Sequence, residues 1–83
     1  MDYVVNISFE KNGIKEEHKY TFGLTKEEKD FVREIGEMYN YDFNSVLHYL
    51  VSKNLLRKLK TNLNENTKQK IEEKFRDDMF TID

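Results

Sequence analysis

The only imidazoles in this chain are His18 and His48, and it has no cysteine. Structural zinc takes four ligands, mostly thiolate and imidazole, so two histidines cannot build such a cage alone. A disulfide and a thiolate nucleophile are excluded by composition. Carboxylates are plentiful, but the runs Glu16-Glu17, Glu27-Glu28 and Asp77-Asp78 are most simply solvated faces. No nucleophile–base spacing, metal-ligand cluster or glycine-rich phosphate loop is present. The expectation is a protein with no catalytic residue, no metal and no cofactor, whose work is binding.

Charge narrows what it could bind. Fourteen Lys and Arg face sixteen Asp and Glu, a net charge of −2. Residues 43–62 hold four of the cations (Lys53, Arg57, Lys58 and Lys60) and no acid, whereas residues 25–42 are acidic. Cations of that kind complement a helix C-terminus, which accounts for the block without a ligand. The 83 residues suffice for one small domain, and association would add to the limited core it can bury. With no long apolar run and no signal-peptide pattern, the chain is expected to be soluble and cytoplasmic, with no membrane partner.

The elements that carry these residues read as a hairpin and three helices. Residues 3–9, Y-V-V-N-I-S-F, alternate with period two, and so do residues 19–24. Between them Asn12-Gly13 is a two-residue hairpin signal, because both positions need positive φ. That turn pairs Lys11 with Ile14, Val5 with Tyr20 and Tyr3 with Phe22, which gives one apolar face. Glu10 with Lys15 and Asn6 with Lys19 form the other. His18 and Glu16 fall on the apolar side near the turn, so that end is expected to project beyond the core.

Thr25, three residues before Glu28, has capping-box spacing and starts a helix over 25–39 with Phe31, Val32, Ile35, Met38 and Tyr39 as its stripe. Asn40 can take the left-handed position that ends it, and Asp42 can cap the next. That second helix is predicted over 43–60 on Val46, Leu47, Leu50, Val51, Leu55 and Leu59. Residues 62–66 read as a break. A third, weaker helix follows over 67–79 on Ile71, Phe75 and Met79. The tyrosines read as core edges.

From H-K-Y-T-F-G-L-T-K-E-E through N-Y-D-F-N-S-V-L-H-Y-L, a strand running straight into two helices joined by a tight polar connector resembles the ribbon-helix-helix family over residues 18–60. The resemblance implies a dimeric transcriptional regulator or repressor, as in phage repressors and antitoxins, whose paired ribbon enters the DNA major groove. Tyr20, Phe22 and Leu24 match the family's inward strand positions, and Lys19, Thr21 and Gly23 its DNA-facing ones. Lysine can donate to guanine N7 or O6, and threonine can read a hydrogen bond or a thymine methyl. Asn44 and Ser45 match the place where the second helix holds phosphate, favoured by free N–H groups and the helix dipole. Asp42 sets a negative charge beside that place, and Tyr41 stands where family members often have glycine.

The sequence thus predicts an α+β chain of one domain, 1–83, with a β-hairpin (3–22), a helix pair (25–60) and a C-terminal helix or tail (63–83). Its expected partners are double-stranded DNA and a second copy of itself, with residues 63–83 available to a protein. One further reading is a small protein-binding module that uses an acidic surface, such as a phage-type inhibitor of a host nucleic-acid enzyme or defence system, or an antitoxin. Width bears on the choice. Four strands joined edge to edge span about 14 Å between outer axes, more than a groove ~12 Å wide accepts with side chains.

Overall fold

The computed structural model describes residues 2–80. β1 (Asp2–Lys11) and β2 (Ile14–Gly23) form a two-stranded antiparallel hairpin, followed by α1 (Lys26–Tyr39), α2 (Phe43–Ser52), α3 (Leu56–Thr61) and α4 (Glu65–Met79). The fold class is α+β, as the sequence predicts. The hairpin register also matches residue for residue, with Lys11 opposite Ile14, Val5 opposite Tyr20 and Tyr3 opposite Phe22. Asn12 and Gly13 turn it with φ of 55° and 79°, the pair of positive values that matches the twist of the flanking strands.

Only the root of the hairpin is seated on the helices. Val5 is buried, and the Tyr3 ring lies 5.6 Å from that of Phe43 at the start of α2. Tyr20, opposite Val5, is already exposed, and toward the turn so are Phe9 and Ile14, so the distal half is an arm reaching past the core. Ten-residue strands extend roughly 33 Å, which accounts for a thin molecule of 40 × 39 × 21 Å.

The caps follow the sequence. Thr25 Oγ1 accepts from the Glu28 amide at 3.2 Å, and Glu28 Oε1 accepts from the Thr25 amide at 2.8 Å, which closes the capping box. Asn40 sits at φ 61° and ends α1, and the Asp42 carboxylate accepts from the Ser45 amide at 2.7 Å to start α2. Gly36 is needed where the connector crosses α1, because a Cβ there would stand 2.5 Å from the Tyr41 carbonyl oxygen.

Three expectations are corrected. The predicted helix over 43–60 is two helices. Asn54 takes φ 58°, with the Leu55 amide donating to the Leu50 carbonyl at 2.8 Å and the Asn54 amide to Val51 at 3.1 Å. These are the paired bonds of a left-handed helix stop, which asparagine tolerates. The last helix starts at Glu65, capped by Asn64, so the break over 62–66 is shorter than predicted.

Glu28, read with Glu27 as a solvated face, is 5 % exposed, and Lys60 Nζ reaches its carboxylate at 3.1 Å. A buried carboxylate needs such donors, and Lys60 and the Thr25 amide supply them. The same lysine also donates to the Gly23 carbonyl. It thereby joins α3 to the point where β2 meets α1, a role beyond complementing a helix end.

The core lies between α1, α2 and α4 and is closed by α3. Val32, Ile35, Val46, Leu47, Leu50, Leu59, Ile71 and Phe75 are buried within it. Phe75 lies among three tyrosines, with ring centroids 4.9 Å from Tyr49, 5.4 Å from Tyr41 and 5.6 Å from Tyr39. The outer ends of two of these rings are tied to α4. The Tyr39 hydroxyl donates to Glu72 at 3.0 Å, and the Tyr49 hydroxyl to Asp78 at 2.7 Å. Among the described residues no helix is long and apolar enough to cross a membrane.

The Tyr49–Asp78 bond has a pH signature. Burial foremost, then the Asp78 carboxylate, holds the Tyr49 phenol above its usual range, while the Tyr49 hydroxyl holds the Asp78 carboxyl below its own. A depressed carboxyl adds stability above its ordinary value near pH 4, and that stability is lost as pH falls through the folded value. Urea midpoints of Tyr49→Phe between about pH 2 and 5 should therefore fall less steeply on acidification than those of the wild type. Equal slopes would mean that the Asp78 contact does not form in solution.

Candidate nucleic-acid interface

Period-two alternation divides the hairpin into two faces. The inner face carries Tyr3, Val5, Ile7, Phe9, Ile14, His18, Tyr20 and Phe22, and its root rests on α2. His18 lies between Phe9 and Tyr20, tilted to both, with centroids at 4.9 and 6.2 Å, so it extends this face toward the turn. The outer face carries Lys19 opposite Asn6 and Thr21 opposite Val4. Both are exposed, and neither side chain has an intramolecular partner among the described residues. Two residues apart on one strand, they project side by side, as the sequence implied.

The rest of the outer face is mixed. Asp2, Glu10 and Glu17 accompany Lys15 and Lys19, and Ser8 donates to Glu17 at 3.3 Å. Gly23 adds no side chain, and its carbonyl is taken by Lys60.

Asn44 and Ser45 are exposed in the first turn of α2. Phe43 joins that turn to Tyr3 on the inner face, so within one chain this helix start and the pair Lys19 and Thr21 belong to opposite faces of the ribbon. The turn also holds its own anion. The Ser45 side chain and amide keep the Asp42 carboxyl below the usual carboxylate range. An incoming phosphate would meet that charge and would have to use the remaining N–H groups of the turn.

Sequence reasoning found the outer-face pair because strand alternation alone fixes it. It singled out Arg57 and Lys58 within a basic block but missed the cations that α4 brings to them. Lys70 and Lys74 of α4 face Arg57 and Lys58 of α3 across a groove. The i, i+4 spacing of the two lysines was the available signal, but their partner side depends on where α4 docks. No family model matches the chain, and neither a curated protein nor a solved structure matches it.

Proposed function

We propose that the chain is a homodimeric regulator that binds double-stranded DNA, a ribbon-helix-helix-type repressor of the kind carried by phages and plasmids. It acts in the cytoplasm, without catalysis or a cofactor. The observation that carries this reading is a two-stranded ribbon seated on helices by one face, with Lys19 and Thr21 unpartnered on the other. Two strands lie ~5 Å apart and fit a major groove ~12 Å wide.

Beyond Asp42 and Tyr41, the reading departs from the family in how the ribbon is built. β1 of the same chain completes the ribbon, so the twin chain does not pair through the free edge of β2, where four strands would be too wide. Each arm instead lays its exposed inner face across the body of its partner. This covers Phe9, Ile14 and Tyr20 and keeps both outer faces on one side. Lys19 then donates to guanine and Thr21 reads the neighbouring base edge, while Asn44 and Ser45, which lie on the opposite face of their own ribbon, are left out of this contact.

A labelled duplex titrated at low and moderate salt tests this. Binding should weaken steeply with salt. Lys19→Ala should lose about tenfold in affinity, roughly one direct base contact. A flat titration at low salt would overturn the proposal. It would favour the second reading, a protein-binding module, which the three acids among the outer-face charges support.

A further inference from the structure

α3 and α4 flank an open groove of about 520 Å³. Leu55 and Ile71 line its floor, Arg57 and Lys58 stand on the α3 side, and Lys70 and Lys74 stand one turn apart on α4. Among the described residues no carboxylate lines it. Lys74 lies 4.0 Å from Asp78, while Arg57, Lys58 and Lys70 have no carboxylate partner among the described residues. On its other side α4 carries Glu72, bonded to Tyr39, and with Glu34, Glu65 and a single cation, Lys68, this lines a recess beside α1. The helix therefore has a cationic edge and an acidic edge, which a net charge of −2 conceals. Like charges around a cleft repel one another and focus a field that an anion relieves.

We infer that this groove docks a short acidic segment of a partner protein, with an apolar side chain seated between its carboxylates. Two features select a peptide over a duplex. The apolar surface of the groove comes chiefly from the alkyl stems of the lysines, laid over the buried Leu55 and Ile71, and a phosphate backbone leaves it unused. The groove is also concave and within the size range of small-ligand pockets, whereas a duplex would touch only its rim. Arg57 can take a carboxylate with two parallel hydrogen bonds, and the lysines serve as point charges beside it. The inference is independent of DNA binding, because its residues are not those of the hairpin's outer face.

The test is fluorescence anisotropy of the full chain with three labelled probes: a short peptide alternating Glu and Leu, the same peptide with Ser for Leu, and a DNA duplex. The Glu/Leu peptide should bind, and the Arg57→Glu/Lys70→Glu variant should lose at least about tenfold, which is ~1.4 kcal/mol. Both substituted side chains are exposed, and an unchanged thermal transition by circular dichroism would show that the variant folds. The Glu/Ser peptide should bind several-fold more weakly, as the apolar floor requires.

Each of four results would overturn the inference. The first is no binding at millimolar Glu/Leu peptide, and the second is equal binding of the Glu/Ser peptide. The third is displacement of the peptide by the duplex, with the duplex equally weakened in the variant, which would make these cations phosphate contacts. The fourth is a solution mass that rises with concentration in the wild type but not in the variant, which would make the occupant a second copy of this chain.

Discussion

Phe75→Ala should leave the chain largely unfolded at room temperature or close to it. The ring is 0 % exposed and packs edge-on to Tyr49 and Tyr41, with interplanar angles of 83° and 89°, and at a tilt to Tyr39. Truncating a buried phenylalanine costs about 3–5 kcal/mol, because the surroundings fill the cavity only in part. A small domain has roughly 5–15 kcal/mol of stability in total. Each kcal/mol moves the melting temperature of a domain this size by about 4–8 °C. Thermal melts by circular dichroism should show a fall of about 15 °C or more, or no cooperative transition. A fall of only a few degrees would mean that α4 is not docked on the tyrosine cluster.

The same packing restricts what can be removed from the chain. Ile71 and Phe75 are core residues, so a protein partner of residues 63–83 must use the outward sides of α4. Deleting the segment would test folding before it tested binding.

The second large effect is expected at Gly36, with a sign opposite to the helix rule. Alanine is better than glycine inside a helix by ~1 kcal/mol, so Gly36→Ala should stabilise a free helix. Here the new Cβ would stand 2.5 Å from the Tyr41 carbonyl oxygen. The Tyr41 amide is itself bonded to the Gly36 carbonyl at 2.8 Å, and its ring packs on Phe75. The connector therefore cannot lift away without disturbing the core. Overpacking of this kind costs about 1–3 kcal/mol, more than the propensity gain. The melting temperature should fall, by about 5–15 °C. A rise would mean that the connector does not cross α1 at this point.

How much of this was legible in the sequence depends on whether a feature is local. The hairpin register follows from period-two alternation and Asn12-Gly13, and the caps at Thr25, Asn40 and Asp42 follow from residues within four positions of one another. The break at Asn54 was hidden because Leu55 and Leu59 continue an apolar spacing across it. Asn54 followed by a hydrophobic residue matches a left-handed helix stop, a local signal that the apolar spacing masks.

Long-range features were not legible. Glu28 is buried because Lys60, far along the chain, arrives to pair with it. Phe75 reads as one member of a thin stripe because the tyrosines that surround it come from elsewhere in the chain. In the candidate interface, exposure of Lys19 and Thr21 follows from alternation alone. The placement of Asn44 and Ser45 relative to them depends on how α2 meets the hairpin, which no local pattern encodes.

The central claim, a dimer that holds DNA by the hairpin's outer face, is tested most directly by light scattering on a size-exclusion column of the protein mixed with a short duplex at low salt. The expected result is one peak with the mass of the duplex plus two chains of 10.1 kDa, lost when Lys19 and Thr21 are both replaced by alanine. Protein and duplex eluting separately, or a complex unchanged by those substitutions, would contradict it.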